Sequence, residues 1–349
     1  MSSTLKDVAA LAGVSLTTAS NAINEKPVNA NTKERVLDAA KKLKYHTSSI
    51  GRNLIKNKSN AIGMIILNSK KSKDITEEIS YYYAMIKGAL ASIQQHDYVF
   101  NFEVMYWEDI EYTEYFPRKV FSKTIDGMIL VPQFMYNYSF LPLLEEEHFP
   151  YVIINPSVNI RPECRAVIDN FQGGYLAADH LLNLGHKRIL FINGPADHKD
   201  SYEREKGFLA RLLESGIPYD KCNILYSDFT NNGGYTLMKK ILEEKGRTFS
   251  AVFCANDYMA SGAMNAIFEA GFRIPEDFSV IGFDDTDIAK CIYPGLTTVK
   301  SPVKELGFKA AERIFELMSD KNAEKDLQEI NLSLDLVIRG STKCNTKDF

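Results

Sequence analysis

Cysteine is scarce in this chain and widely scattered. Cys164, Cys222, Cys254, Cys291 and Cys344 form no Cys-x-x-Cys pair. An odd, dispersed set is no disulfide framework, and a reducing cytoplasm is the expected home. Histidine is sparse too: the six residues are dispersed, without His-Glu-x-x-His or Cys/His zinc spacing, so no metal centre is expected. Neither a Gly-x-Ser-x-Gly nucleophile elbow nor a Gly-x-x-x-x-Gly-Lys-Ser/Thr phosphate loop occurs. The acidic group Asp284, Asp285 and Asp287 lacks the calcium-loop pattern. An enzyme is therefore not expected, nor a cofactor. No apolar run approaches the length that spans a bilayer. The first residues are polar and helix-capping rather than an apolar leader, so neither secretion nor a membrane partner is expected.

What is present is an ordinary globular composition, 45% hydrophobic and 25% charged over 349 residues, enough for two or three domains. The net charge of −4 hides an asymmetry. Residues 1–60 hold ten Lys/Arg against four Asp/Glu, a net of +6, so the remainder carries −10. A basic head on an acidic body suggests that the head meets a polyanion.

The head reads as helices. Thr4 and Asp7 form a capping box, and Val8, Leu11 and Ala12 follow at helical spacing. Gly13 supplies a turn, Ser15 caps a second helix from Leu16 to about Asn24, and Asn31 with Glu34 is expected to cap a third, to about Lys44. Two short helices broken by Gly-Val-Ser make a helix-turn-helix pattern. Its second helix offers Thr17, Thr18, Ser20, Asn21 and Asn24, small polar groups suited to base edges and phosphates. A three-helix bundle with no DNA role is the plainer alternative on spacing alone.

Leu5-Lys6-Asp7-Val8-Ala9-Ala10-Leu11-Ala12-Gly13-Val14-Ser15, then Thr18-Ala19-Ser20 and Ile23-Asn24, resembles the DNA-binding head of the lactose/galactose repressor family. The family's hinge, Ala-Arg-x-Leu, is matched by Gly51-Arg52-Asn53-Leu54. The resemblance implies that the hinge forms a helix on operator DNA, with Leu54 as a wedge in the minor groove and Arg52 beside it. It also implies that Leu16, Thr17 and Asn21 read bases in the major groove. Asn21 stands where the family commonly has Arg; Asn suits adenine and Arg suits guanine, so a different half-site is implied. Thr47-Ser48 replaces the usual Pro-Asn. Gly51 replaces a helix-favouring Ala, at about 1 kcal/mol.

Beyond Asn60, short apolar runs alternate with helical stretches. The runs are residues 61–67, 127–131, 151–154, 188–192, 251–254 and 279–283; the helical stretches include 82–95, 173–184, 202–215, 234–244 and 259–270. This predicts parallel α/β sheets, with ligands at the carboxyl ends of the strands. The resemblance continues through Asp169-Asn170-Phe171-Gln172-Gly173-Gly174-Tyr175, Leu184-Gly185-His186, Ser201-x-x-Arg204-x-x-Gly207-Phe208, Cys254-Ala255-Asn256-Asp257 and Val280-Ile281-Gly282-Phe283-Asp284-Asp285. It implies a helix-turn-helix head on a sensor like the periplasmic sugar-binding proteins, with two doubly wound parallel-sheet lobes and crossovers near 160, 290 and 321. The expected domains are 1–46 for the head, 47–60 for the hinge, 61–340 for the sensor and 341–349 for a tail. The expected N-lobe is about 61–160 with 291–321, and the C-lobe about 161–290 with 322–340.

Asp169, Arg204, Asn256 and Asp284 stand where strands end and suit a polyhydroxylated ligand, since each can make paired hydrogen bonds to neighbouring hydroxyls. By resemblance Tyr81 and Tyr82 form the opposite lip, with Phe229 and Gln133 as further candidates. Each has a plainer role open to it. Asp284-Asp285 and Asn256-Asp257 could close turns, Arg204 could pair with Glu203 or Glu205, and the tyrosines could be a core or dimer stripe. The expected function is that of a repressor of double-stranded operator DNA, working as a homodimer or a tetramer of dimers. Its expected effector is a sugar or sugar phosphate. A purine-responsive regulator of the same fold, or a sugar receptor that ignores DNA, is the alternative.

Overall fold

The computed structural model describes residues 3–24, 26–45, 58–70, 79–109, 112–132, 138–218, 223–319 and 328–346. Two compact units emerge, a small N-terminal head and the large remainder.

The head holds α1 (Leu5–Ala12), α2 (Leu16–Ile23) and α3 (Ala30–Lys42). Val8, Ala9, Ala12, Ala19, Ala22, Val36 and Ala39 are its buried core. The small side chains let three short helices approach closely. The capping box forms: the Thr4 backbone N–H donates to Asp7 Oδ2 at 2.8 Å, and the Asp7 N–H donates to Thr4 Oγ1 at 3.4 Å. Gly13 takes φ +64° at the turn, a left-handed conformation that glycine adopts without steric cost. Arg35 Nη2 donates to the Ala12 carbonyl at 2.5 Å, tying α3 to that turn. The third helix starts earlier than expected, with Asn29 rather than Asn31 as its cap: Asn29 Oδ1 accepts from the Asn31 N–H at 3.0 Å. Thr4→Ala should lower the head's stability by about 1 kcal/mol. Denaturant unfolding followed on the head's helical signal checks this, and an unchanged midpoint would show the box to be dispensable.

The large unit is built on two six-stranded sheets. The first contains β1 (Ala61–Asn68), β2 (Val99–Tyr106), β3 (Gly127–Pro132), β4 (Tyr151–Ile154), β5 (Arg165–Ile168) and β11 (Ile330–Leu332), in the order β11-β5-β4-β3-β1-β2. All of its pairings are parallel. The second contains β6 (Ile189–Asn193), β7 (Asn223–Tyr226), β8 (Ala251–Cys254), β9 (Ser279–Asp284), β10 (Thr297–Lys300) and β12 (Asp335–Val337), in the order β12-β10-β9-β8-β6-β7. Here only β12 runs antiparallel, against β10. The central strands β1, β3, β4, β6 and β8 are buried along their whole length, as expected for parallel sheets covered on both faces.

The lobe boundaries differ from those expected. Strand β5 pairs with β4 and β10 pairs with β9, so the first two crossovers lie at 168–170 and 300–303 rather than near 160 and 290. Strand β11 returns to β5 in the first sheet while β12 joins the second, which puts the third crossover at 332–335; position 321 lies outside the described residues. The N-lobe is thus 61–168 with 303–332, and the C-lobe 170–300 with 335–346. Residues 341–345 are not a loose tail. Ser341 Oγ donates to the Val280 carbonyl at 2.6 Å, and the Asn345 N–H donates to the Leu184 carbonyl at 2.7 Å.

The helices are α4 (Ile79–Gln95), α5 (Tyr112–Phe121), α6 (Leu141–Glu146), α7 (Asn170–Asn183), α8 (Lys199–Glu214), α9 (Asn231–Lys245), α10 (Asp257–Glu269), α11 (Asp287–Cys291) and α12 (Val303–Ser319). Three helix pairs touch through reciprocal glycines. A Cβ on Gly174 of α7 would fall 1.9 Å from the Arg204 carbonyl oxygen, and one on Gly207 of α8 would fall 1.8 Å from that of Phe171. Gly88 of α4 and Gly307 of α12 are related in the same way, as are Gly234 of α9 and Gly262 of α10. Backbone thus lies on backbone in each pair.

Candidate functional site

In the head, Ala19 and Ala22 bury one face of α2, while Leu16 and Thr17 are exposed and Asn21 is half-buried. Leu16 is 52% exposed. The other polar candidates on this helix are partly engaged at home. Thr18 shares a 2.8 Å hydrogen bond with the Ser15 hydroxyl at the N-cap. Asn24 is the C-cap, its Nδ2 donating to the Ser20 carbonyl at 2.9 Å and to Ser20 Oγ at 3.3 Å. Arg52 and Leu54 lie outside the described residues.

In the large unit, the carboxyl ends of β3, β4, β6, β8 and β9 converge on one cleft between the lobes. From the N-lobe it is lined by Tyr81, Tyr82, Val131, Pro132, Ile154 and Asn155. From the C-lobe come His198, Asp200, Arg204, Phe229, Asn256, Tyr258, Asp284 and Thr286. The space among them is about 640 Å³ with its mouth included.

Arg204 is the electrostatic centre. It is 4% exposed. Its Nε donates to Asn170 Oδ1 at 2.8 Å, its Nη1 donates to the Ala255 carbonyl at 2.5 Å, and its Nη2 lies 3.8 Å from Asp284 Oδ1. The guanidinium also lies 3.7 Å from the centre of the Phe283 ring, a favourable cation–π arrangement. Asp284 is nine-tenths buried, and its Oδ1 accepts no hydrogen bond. Burial pushes its carboxyl up to about 6; Arg204 opposes that shift and Asp200 adds to it. Behind it, the fully buried Asp257 accepts from Thr298 Oγ1 at 2.6 Å and from the Thr286 N–H at 2.7 Å. Burial, reinforced by Asp284, pushes Asp257 up to about 8. His198 is driven down to about 4 by burial. Its Nδ1 accepts from the Asp200 N–H at 3.2 Å, and its ring meets Phe229 edge-on at 5.0 Å.

The backbone is strained where this cleft is built. Asp284 has φ +100°, Phe229 +64° and Asn155 +46°. Left-handed non-glycine residues cost roughly 1–3 kcal/mol each and gather at functional sites. Gly194 helps seat Phe229, since a Cβ there would fall 2.1 Å from Phe229 Cζ.

Six of the expected residues, Tyr81, Tyr82, Arg204, Phe229, Asn256 and Asp284, meet in the cleft. Asp169 does not. It is exposed and caps α7, accepting from the Gln172 N–H at 2.8 Å, and it faces an adjoining hollow with Lys199 and Glu203 that shares Asn155 and Asp200 with the cleft. Asn256 lines the cleft, but its Oδ1 accepts from the Met259 N–H and its Nδ2 donates to the Phe229 carbonyl, both at 2.8 Å. Gln133 lies outside the described residues. Arg204 turns inward rather than pairing with Glu203 or Glu205. Sequence reasoning missed Asn155, His198 and Asp200. Asn155 reaches across from the N-lobe, its Nδ2 donating to both carboxylate oxygens of Asp200 at 3.2 and 3.3 Å. Among the described residues, no three His, Cys, Asp or Glu side chains gather as a metal site. The arrangement can bind and discriminate a small polar molecule between aromatic walls.

Comparison with known proteins agrees with both units. Residues 4–48 match the bacterial regulatory proteins of the lacI family, and residues 178–342 match a periplasmic binding protein-like domain. A transcriptional repressor named PurR from Mannheimia succiniciproducens is 34% identical, covering 97% of this chain and 98% of the relative. A lac repressor dimer bound to operator and an anti-inducer superposes with TM-score 0.83 at 26% identity, covering 98% of this chain and all of that one. The cellobiose complex of a regulator named CelR superposes with TM-score 0.71 at 27% identity, covering 97% and 99%.

Proposed function

Because the chain belongs to the lacI family of bacterial regulatory proteins, it is a DNA-binding transcription regulator, and we propose that a sugar bound between its lobes controls its hold on operator DNA. The observation that carries the choice of ligand is Asp284. It is a nine-tenths-buried carboxylate with an unpartnered oxygen, set against Arg204 in an aromatic-walled cleft. A polyol supplies the donors that oxygen lacks, and Tyr81, Tyr82 and Phe229 offer ring faces to its C–H surface. A purine effector is the second reading, supported by the similarity to a repressor named PurR.

In this proposal the protein acts in the cytoplasm as a homodimer, or as a tetramer of dimers, on half-sites about one helical turn apart. Leu16, Thr17 and Asn21 read bases, with Thr18, Ser20 and Asn24 supporting them. Arg52 and Leu54 act at the hinge, with Leu54 as the minor-groove wedge. Ligand binding alters how the lobes close and so couples to DNA affinity, by about 1–3 kcal/mol for a typical effector. Fluorescence anisotropy with DNA upstream of the protein's own gene, against scrambled DNA at fixed salt, tests both halves. Preference for the upstream DNA, altered by one member of a sugar panel, is expected. A response to purine bases alone would replace the sugar, and failure to prefer any DNA after a wider site search would overturn operator control.

Two further outcomes are expected. Asn21→Arg should shift half-site preference from adenine towards guanine at one position, worth about 1–3 kcal/mol of discrimination; binding-site selection checks this, and an unchanged consensus removes Asn21 from the reading set. Effector affinity should also fall with acid. Protonation turns one Asp284 oxygen into a donor and weakens the other as an acceptor, and burial pushes its carboxyl up to about 6. Lowering the pH from 7.5 to 5.5 should therefore weaken binding roughly fourfold, and Asp284→Asn should remove that dependence. A flat calorimetric profile for the unaltered protein would place the ligand elsewhere.

A further inference from the structure

We propose that the cleft selects a neutral polyhydroxylated ligand against its phosphorylated or carboxylated counterparts, with Asp200 as the residue that sets this preference. The inference rests on the small-molecule effector reading above and names the class of ligand the site takes.

The residues that face the cleft are rich in acceptors and poor in available cations. Two carboxylates line it, Asp200 and Asp284, each about nine-tenths buried. Arg204 and His198 are the only basic residues among the described lining. Arg204 already donates through Nε to Asn170 and through Nη1 to Ala255, and turns Nη2 towards Asp284. Asp284 already offsets its charge, so a ligand anion that accepted from Nη2 would meet the Asp284 carboxylate beside it. His198 offers no second cation. Its Nδ1 accepts from the Asp200 backbone, which fixes the neutral tautomer, and burial opposes protonation. An anion in this space would meet two carboxylates, each about nine-tenths buried, where Coulomb repulsion is poorly screened.

Asp200 is held ready for a donor. Asn155 is oriented by the Ile168 N–H, which donates to its Oδ1 at 3.0 Å, so its Nδ2 must point at Asp200. The two contacts it makes there, 3.2 and 3.3 Å, are long for an amide against a carboxylate. Each oxygen of Asp200 keeps lone-pair capacity for a ligand hydroxyl. Asp200 and Arg204 are one helical turn apart on α8, so they present an acceptor and a donor side by side. A neutral polyol satisfies both with no charge left over, whereas a phosphate or uronate leaves the carboxylates uncompensated.

Isothermal titration calorimetry on the full chain tests this with matched pairs: glucose and glucose 6-phosphate, ribose and ribose 5-phosphate, galactose and galacturonate, inosine and inosine monophosphate. The neutral member of any pair that binds should be at least tenfold tighter than its anionic partner. Asp200→Asn, which keeps the shape and the Asn155 contact, should shrink that ratio at least fivefold. Asp200→Ser, which adds room, should shrink it in the same direction. An anionic member that binds more tightly than its partner overturns the proposal, as does a ratio that Asp200→Asn leaves unchanged. Binding confined to the purine pair with the neutral member favoured would sink the sugar reading and leave the charge selection standing. Silence from every pair overturns both.

Discussion

Gly207→Ala should destabilise the two-lobed unit by about 3 kcal/mol or more, at the upper end of what overpacking a buried contact costs. On an exposed helix the same change stabilises, since alanine is the better helix former by about 1 kcal/mol. Here the sign reverses. The added methyl would sit 1.8 Å from the Phe171 carbonyl oxygen and 2.9 Å from the Tyr175 nitrogen. Neither is the flexible end of a side chain, so α7 and α8 must move apart as bodies. Because α8 carries Asp200 and Arg204, that movement should also weaken effector binding while operator affinity in the absence of effector stays within a fewfold. Urea unfolding followed on the sheet signal reads the first effect and calorimetry the second. A midpoint equal to or above that of the unaltered protein would mean the helices adjust freely and the glycine contact is incidental.

Arg204→Met should cost about 3–5 kcal/mol at neutral pH, the usual penalty for breaking a buried ion pair from one side. Asp284 would then be a buried carboxylate without its cation, and Asn170 Oδ1 and the Ala255 carbonyl would lose their donor. The loss should depend on pH in a definite direction. The folded carboxyl of Asp284 is already raised above its ordinary value, with Arg204 holding it down. Removing Arg204 raises it further. A carboxyl whose folded value exceeds its unfolded one loses stability as pH rises through the interval between them, so the variant should be weaker at pH 8 than at pH 5.5. Adding Asp284→Asn should restore much of the stability and none of the effector response. Equal costs at both pH values, or no rescue in the double variant, would show that Arg204 acts through packing alone.

The sequence made the central strands legible because β1, β3, β4, β6, β8 and β9 are buried runs of branched apolar residues. It hid β2, whose Val-Phe-Asn-Phe-Glu-Val-Met-Tyr lies at a sheet edge with mixed exposure. It also hid β11 and β12, three residues each. The first two crossovers were misplaced because β5 and β10, four residues each, also went unread, and the third because β11 and β12 decide sheet membership while carrying no periodic signal of their own. At the site, Arg204 and Asp284 were found through family resemblance; Asp284 ends β9 as expected, whereas Arg204 lies on α8 and not at a strand end. Asp169 shared the strand-end placement, but Gln172 three residues on marks it as a helix cap, a local pattern that could have separated it. Asp200 sat within Ala196-Asp197-His198-Lys199-Asp200-Ser201, where no local pattern says which polar residue turns inward. Its spacing of four from Arg204, on the helix that begins at Lys199, was the available signal.

The chain crosses between the lobes at 168–170, 300–303 and 332–335, which orders events as the protein leaves the ribosome. Five strands of the first sheet are made by Ile168, but the helix that covers β3, β4 and β5, and the strand that closes the β5 edge, come only with residues 303–332. At about 5–20 residues per second, that sheet waits roughly 10–30 s with an apolar face and a strand edge bare, while the whole second lobe is synthesised. Nascent chains of this protein should therefore be chaperone clients until Leu332 has emerged, and a stop codon anywhere in 170–330 should yield an aggregating fragment rather than a free N-lobe.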